Sequence, residues 1–317
     1  MMLSSRTAQR LSMITIIGPT ASGKTALAAK LAYHLGSEVI SADSRQVYQG
    51  MDIGTGKDLS DYVVDGKAIP YHLIDICPAG TRYNLYEYQR DFHLAFADIT
   101  SRGIKEPILC GGTGLYVESV LRGYNLPEAP ENSELRERLK GKSFYELTAI
   151  LHSYGVRNRQ ELDTAQRVIR AIEVEEYKRQ YEEKQEGKAC YEAVPSVIFC
   201  LDLERESRRK KISDRLQRRL NEGMTAEVES LLASGISPEA LIYYGLEYKW
   251  ITLYVTGQIN FKTMAEQLEI AIHQFAKRQM TWFRGMERRG LTLNYIDALL
   301  PMDDKIALIL NKIGICL

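Results

Sequence analysis

The chain has 317 residues, 45% of them hydrophobic and 26% charged, which suits one large globular domain or two ordinary ones with a substantial core. Lys plus Arg number 41 and Asp plus Glu number 41. This zero balance excludes a globally basic nucleic-acid binder, so any basic surface must be local.

The five cysteines (Cys77, Cys110, Cys190, Cys200, Cys316) show no C-x-x-C spacing. A structural zinc site is not expected, and a reducing compartment is. The apolar stretch Met13 to Ile17 is too short for the core of a signal peptide. No apolar run reaches the roughly 18 residues that a membrane helix needs. A cytoplasmic protein without membrane contact is expected.

In chain order, Met13 to Ile17 reads as a buried strand ending at Gly18. Thr25 to Leu35 has helical spacing and stops at Gly36. Val39 to Ser41, His72 to Asp75, Ile108 to Cys110 and Val197 to Leu201 are further strand candidates. Helical patterns separate most of them. That alternation predicts an α/β fold, a parallel sheet with helices on both faces. From about Pro127 to Glu192 the chain is charged and helical, with helices expected over Ser133 to Lys140 and Thr164 to Lys184. It reads as a small helical insertion (126–192) in a core made of 1–125 and 193–317. After Leu201 the pattern is helical almost to the end.

Gly18-Pro-Thr20-Ala21-Ser22-Gly23-Lys24-Thr25 fits G-x-x-x-x-G-K-[ST] between a strand and a helix. Small residues let backbone N–H groups turn toward phosphate oxygens, and the helix N-terminus adds positive potential. Lys24 supplies a full charge, and the Thr25 hydroxyl can ligate Mg²⁺. The loop alone leaves the phosphate compound open. A nucleotide-using P-loop protein needs a strand-end Asp for Mg²⁺, and Asp75 is the best candidate for it.

A second signature runs from Val39 through Asp43-Ser44-Arg45-Gln46-Val47-Tyr48 to Asp52-Ile53-Gly54-Thr55-Gly56-Lys57. Here the sequence closely resembles the tRNA dimethylallyltransferases, also called tRNA isopentenyltransferases. Further matches follow in order. They are His72 to Asp75, Pro107 to Tyr116 with Thr113, Gln166 to Val174, Arg215 within Ile212 to Leu216, Glu227-Val228, and Ala276 to Arg284. Nearly the whole chain is covered.

The resemblance implies a P-loop NTPase-like core. It also implies transfer of a dimethylallyl group from dimethylallyl diphosphate to N6 of the adenosine 3′ to the anticodon (position 37), with release of diphosphate. The phosphate loop (Gly18, Thr20, Ala21, Ser22, Gly23, Lys24, Thr25) would then hold the leaving group, with Mg²⁺ as cofactor. Asp43 is the implied base, because the attacking amine has its lone pair delocalised into the purine. Thr113 and Arg215 are the other implied catalytic groups, Arg215 as a second diphosphate cation. Arg215 lies in a stretch with eight Lys or Arg between Arg205 and Arg219.

Implied tRNA contacts are Asp43, Ser44, Arg45, Gln46 and Thr113, then Arg136, Gln166, Arg167 and Arg170 in the insertion, and Lys277 and Arg278 near the end. Trp282 reads as core, and the five histidines show no ligand spacing. Base flipping is implied, since the target atom is normally stacked. The partners expected are a tRNA anticodon stem-loop and dimethylallyl diphosphate, bound by a monomer. An adenylate isopentenyltransferase acting on free nucleotide and a P-loop small-molecule kinase are the alternatives. Three departures from the family pattern stand out. Gly56 and Asp58 replace the Ala and Pro of Gly-Thr-Ala-Lys-Pro. Tyr244 to Tyr248 replaces Val-Gly-Tyr-Arg, with Glu247 in it. His152 to Arg159 stands where Asp-Pro-x-x-Ala is usual.

Overall fold

The computed structural model describes residues 13–126, 129–157, 162–181 and 191–315. Strand β1 (Met13–Ile17) is buried throughout. Its residues alternate between two apolar layers. Ile14 and Ile16 join Leu27 and Leu31, while Met13 and Ile17 join Phe92 and Val117. A strand covered on both faces must be apolar at every position, which is why this segment reads as a continuous run.

Next come α1 (Lys24–Leu35), β2 (Val39–Ser41), β3 (Tyr71–His72), α2 (Leu85–Ser101), β4 (Ile108–Gly111) and α3 (Gly114–Arg122). Helix α1 ends at Gly36, whose left-handed backbone lets its N–H return to the carbonyls of Ala32 and Tyr33. Helix α2 starts in a capping box between Asn84 and Glu87. Three helices follow: α4 (Ser133–Leu139), α5 (Phe144–Ser153) and α6 (Ala165–Tyr181). The chain continues through β5 (Ser196–Asp202), α7 (Arg205–Asn221), α8 (Met224–Ala233) and α9 (Pro238–Tyr244). It closes with α10 (Leu246–Val255), α11 (Phe261–Arg288), β6 (Leu293–Asp297) and α12 (Met302–Ile313).

The sheet order is β6-β5-β1-β4-β2-β3, and all five pairings are parallel. β1 lies centrally, so the loop after it opens at the carboxyl edge of the sheet, where α/β folds bind ligands. A third apolar cluster, with Tyr48, Met51, Ile212, Val228, Tyr248 and Leu268, packs the C-terminal helices onto the loop after β2.

Two expectations need correction. The chain after Leu201 is not helical to its end, because Leu293–Asp297 adds edge strand β6 beside β5. Its buried residues, Leu293 and Ile296, lie three apart and join opposite apolar layers, while Tyr295 is exposed. The strand expected over His72 to Asp75 is limited to Tyr71–His72. Leu73 and Asp75 adopt φ of 61° and 56° and leave the extended path.

Among the described residues, contacts divide the chain into two compact units that part between Gly123 and Tyr124 and between Tyr191 and Glu192. The smaller unit holds α4 to α6 around Leu135, Leu139, Leu147, Leu151, Val168 and Ile172. The end of the helix expected to run to Lys184 lies outside the described residues, as do Cys190, Cys316 and Arg159. Glu173 on α6 is fully buried and ties the unit together. It accepts hydrogen bonds from Arg136 Nε at 2.6 Å, Arg170 Nη1 at 3.1 Å and the Asn132 N–H at 3.0 Å. Removing it strands those donors. Glu173→Ala is expected to destabilise this unit by about 2–3 kcal/mol. Hydrogen exchange should then quicken at α4 and α6 amides while the sheet amides keep their protection.

Candidate active site

The phosphate loop is built by close packing. A Cβ on Gly18 would lie 2.8 Å from Ser22 Oγ and 3.0 Å from Leu201 Cβ. Ala21 and Gly23 take φ of 62° and 79°, which folds the loop over the start of α1. The Ser22 hydroxyl is buried and has no partner. It is a buried donor that the protein leaves without an acceptor. The Lys24 ammonium reaches the Pro19 carbonyl at 3.4 Å. Burial pushes its pKa below the usual value, while Cys110 and Asp43 act in the opposite sense.

Two side chains from distant helices brace this loop. Gln279 of α11 accepts the Thr20 N–H at 2.8 Å and donates to the Gly112 carbonyl at 2.9 Å. Arg215 of α7 donates to Thr20 Oγ1 at 3.2 Å. Burial, then neighbouring Arg219, lowers the pKa of Arg215. The loop faces a cavity of about 340 Å³ lined by Thr20, Ala21, Gly23, Lys24, Thr25, Asp43, Arg45, Gln46, Arg215 and Gln279, among others. Gly18 and Ser22 stand behind that lining, as spacer and orphaned donor.

Asp43 follows β2 and lines the same cavity. Its Oδ1 accepts the Arg45 N–H at 3.1 Å, so the turn role and an active-site position coexist in one side chain. Thr113 occupies the N-cap position of α3 but makes no side-chain cap. Its hydroxyl instead accepts the Ser44 N–H at 3.0 Å and donates to Ser44 Oγ at 3.3 Å, and its own N–H bonds the Ala42 carbonyl at 3.1 Å. Ser44 and Thr113 thus clasp the segment carrying Asp43 and are not among the cavity-lining residues. Arg45 pairs with Glu247 and lies over the Phe275 ring at 5.6 Å. Gln46 accepts from Ser41 Oγ at 3.2 Å and donates to the Gly56 carbonyl at 3.1 Å.

The second signature proves to be a braced loop. Glu227 of α8 accepts the N–H groups of Asp52, Ile53 and Gly54 at 2.9, 2.6 and 3.1 Å. Lys57 is fully buried, donating to the Tyr48 carbonyl and Asp52 at 2.7 Å each and also to Asp75. Asp75 is therefore the counter-ion of Lys57 and does not line the cavity, which corrects its reading as a strand-end Mg²⁺ ligand. Of the histidines, His72 bonds Glu38 at 2.7 Å, and His273 lies 3.5 Å from Glu269. Among the described residues no three His, Cys, Asp or Glu side chains group to hold a metal. Mg²⁺ needs no such cage when a phosphate supplies oxygens, and Thr25 lines the cavity to supply another.

Lys277 and Arg278 are exposed on α11, beside an open groove they share with Trp282, Arg288 and Arg289. Trp282 is partly buried against the α2–α3 layer, as a core residue should be. In the smaller unit, Gln166 is exposed and Arg167 pairs with Asp163 at 2.6 Å. Arg136 and Arg170 keep part of their surface while bound to Glu173. The sequence reading passed over Phe275, Gln279 and Asp58, all of which line the cavity. Gln279 sits inside the Ala276 to Arg284 match, and Asp58 was visible as a departure.

A strand–loop–helix phosphate cradle at the edge of a parallel sheet, with a carboxylate in its cavity, defines a P-loop α/β enzyme site. Residues 46–286 match the family described as IPP transferase, and residues 11–69 match a second described as isopentenyl transferase. A tRNA dimethylallyltransferase 1 of Porphyromonas gingivalis is 61% identical over 92% of this chain and 96% of its own. The tRNA dimethylallyltransferase 1 of Parabacteroides distasonis is 60% identical over 93% and 95%. A solved structure of the tRNA isopentenylpyrophosphate transferase of Bacillus halodurans superposes with a TM-score of 0.69 at 29% identity, covering 96% of each chain. This chain belongs to the IPP transferase family.

Replacing Gln279 by Ala leaves the Thr20 N–H and the Gly112 carbonyl without partners. The variant should lose about 1–3 kcal/mol of stability, read as a lower denaturation midpoint with an unchanged denaturant slope.

Proposed function

We propose that this protein transfers the dimethylallyl group of dimethylallyl diphosphate to N6 of adenosine 37 in tRNA and releases diphosphate. The observation carrying this reading is that Asp43 and the phosphate loop, Lys24 and Thr25 included, line one cavity. An anion site and a carboxylate facing the same space suit a reaction that expels diphosphate and releases one proton. The family match and the tRNA-named relatives supply the acceptor.

The diphosphate lies in the phosphate loop, held by backbone N–H groups of residues 21 to 25, Lys24 and Arg215. As the allylic C1–O bond breaks, negative charge grows on the diphosphate, and these fixed donors stabilise it. Thr25 would hold Mg²⁺ together with the diphosphate, and the ion would add to the neutralisation of that charge. The N6 lone pair forms the new N–C1 bond, and Asp43 accepts the proton lost by N6. The Arg45 N–H orients the Asp43 carboxylate. Thr113 acts by positioning, through its bonds to Ser44 and Ala42. Arg45, Gln46 and Phe275 line the space beside Asp43 where the flipped base would enter. Lys277 and Arg278, and in the insertion Arg136, Gln166, Arg167 and Arg170, contact the tRNA. The enzyme works in the cytoplasm as a monomer.

Single-turnover transfer from radiolabelled dimethylallyl diphosphate, with Mg²⁺, tests this on three acceptors. They are an anticodon stem-loop with adenosine 3′ to the anticodon, the same loop with that base changed, and free AMP. Label on the first alone is expected. Label on AMP would make it a nucleotide enzyme, and ATP consumption without label would make it a kinase. Asp43→Asn should cut kcat by about 10²- to 10⁴-fold while tRNA affinity stays within about twofold. A loss of affinity as large as the loss of rate would remove Asp43 from the proton's path. Lys24→Ala should weaken inorganic pyrophosphate binding about tenfold or more; an unchanged affinity would place the diphosphate elsewhere.

A further inference from the structure

Arg215 does not reach the phosphate loop unaided. Its Nη2 donates to Asp58 Oδ2 at 2.9 Å, while its Nη1 holds Thr20 Oγ1. Arg219, one helical turn further along α7, brings Nη2 to within 3.0 Å of both Asp58 oxygens. The two guanidiniums meet over Gly56. A Cβ there would lie 2.2 Å from Arg215 Nη2 and 2.5 Å from Arg219 Nη2. Like charges set side by side and mostly buried repel each other unless an anion lies between them. Asp58 is that anion.

We propose that Asp58 is a positioning residue for the diphosphate-binding cation Arg215, acting as the counter-ion that Arg215 and Arg219 share. This rests on the reading of Arg215 as a diphosphate ligand. The geometry assigns the three charges different jobs. Arg215 and Asp58 line the cavity, whereas Arg219 stands behind them with its side chain 7% exposed. Arg219 offsets the carboxylate, so the triad keeps one net positive charge and Arg215 remains able to attract an anion. Asp58 itself is held firmly, because it follows the loop that Glu227 and Lys57 brace. Burial works against its carboxylate, but Arg219 and Arg215 together hold its pKa below the usual range. The two departures from the family pattern at this spot are then one device. Glycine at 56 makes room for the guanidiniums, and aspartate at 58 supplies the charge that lets them sit together.

The test is titration with inorganic pyrophosphate plus Mg²⁺, alongside kcat and KM for dimethylallyl diphosphate. Arg215→Lys, Asp58→Asn, Arg219→Gln and the Asp58→Asn/Arg219→Gln double variant are compared with the unaltered enzyme. In Asp58→Asn the guanidiniums repel and Arg215 swings away. Pyrophosphate affinity should fall about tenfold and KM for the diphosphate should rise to match. The value of kcat should fall as well, because Arg215 stabilises the charge growing on the leaving diphosphate, whereas KM for tRNA should stay within about twofold. Arg219→Gln alone leaves the carboxylate uncompensated and should also weaken pyrophosphate, which keeps the question answerable if Asp58→Asn does not fold. The double variant should recover most of the lost affinity, an outcome a purely structural salt bridge would not produce. Unchanged or tighter pyrophosphate binding in Asp58→Asn, or additive losses in the double variant, would overturn the proposal and leave the site reading intact. Pyrophosphate affinity unchanged by Arg215→Lys would instead overturn the site reading beneath it.

Discussion

A carboxylate that accepts three successive backbone N–H groups fixes a loop much as a strand pairing would, and with charge-assisted bonds. Glu227 does this for Asp52, Ile53 and Gly54, and takes a further bond from the Tyr248 hydroxyl at 2.7 Å. The loop has no ladder neighbour along these residues, and its own turn bonds, such as the Gly56 N–H to the Asp52 carbonyl at 3.0 Å, add to the brace. Lys57 locks its far end from inside, with its ammonium between the Tyr48 carbonyl and two carboxylates. Part of the cavity wall opposite the phosphate loop is placed by this brace. Gln46 hangs on the Gly56 carbonyl, and both guanidiniums of α7 close onto Gly56. This explains why the core carries so much helix beyond its last central strand. Helices α7, α8, α10 and α11 share one apolar cluster with the loop after β2 and deliver Arg215, Glu227, Glu247 and Gln279 to its edge.

The sheet contributes the other half of the geometry. β2 and β4 are neighbours, and their ends carry Asp43 and Thr113. The contact between them is so close that a Cβ on Gly111 would lie 2.2 Å from the Ala42 carbonyl oxygen. With Gly111 bare, Thr113 can reach Ala42 and Ser44 with both its N–H and its hydroxyl, which sets the angle at which Asp43 leaves the sheet. A carboxylate meant to receive a proton from one nitrogen has to be aimed within tenths of an ångström, and strand ends aim better than loops. The residues behind the cavity wall therefore matter to the chemistry without touching it.

Much of this was readable from residue order. The phosphate loop, its strand and its helix follow from glycine spacing and a short β-branched run, because local sterics fix both. Asp43 was singled out by the family motif around it, and its place in the cavity follows from its position past β2. The failures have physical reasons. Strand β6 buries residues three apart at an edge and follows a long helix, so periodicity favoured helix. Leu73 and Asp75 take left-handed backbone that nothing in their side chains announces. Whether Asp75 serves a metal or Lys57 depends on a lysine brought in by the brace, which no local pattern encodes. The same holds for Arg136, whose bond to Glu173 needs α4 and α6 packed together, whereas Arg170 meets Glu173 within α6 at i,i+3 spacing. Gln279 lay inside a recognised segment, but a neutral amide among Lys277, Arg278 and Arg284 draws no notice until its two backbone contacts are seen.

Zero net charge and an affinity for RNA backbone are compatible because the two signs are spent in different places. Several acids are consumed inside the protein. Glu118 and Glu173 have no exposed side-chain surface, Glu38 has 7% and Glu247 has 10%, and each is paired with arginine. Glu227 is taken up by backbone amides. Bases are left over on the outside of two adjacent helices. Arg205, Arg208 and Arg209 of α7 face Lys277 and Arg284 of α11 across an open cleft of about 450 Å³. Lys277, Arg278 and Arg288 line a second groove along α11. Counting residues averages these away, whereas a phosphate chain meets only the surface. Burying acid to brace loops and leaving base on α7 and α11 thus gives this fold a basic face at no cost in overall charge. The face adjoins the helices that already carry Arg215 and Gln279 to the cavity.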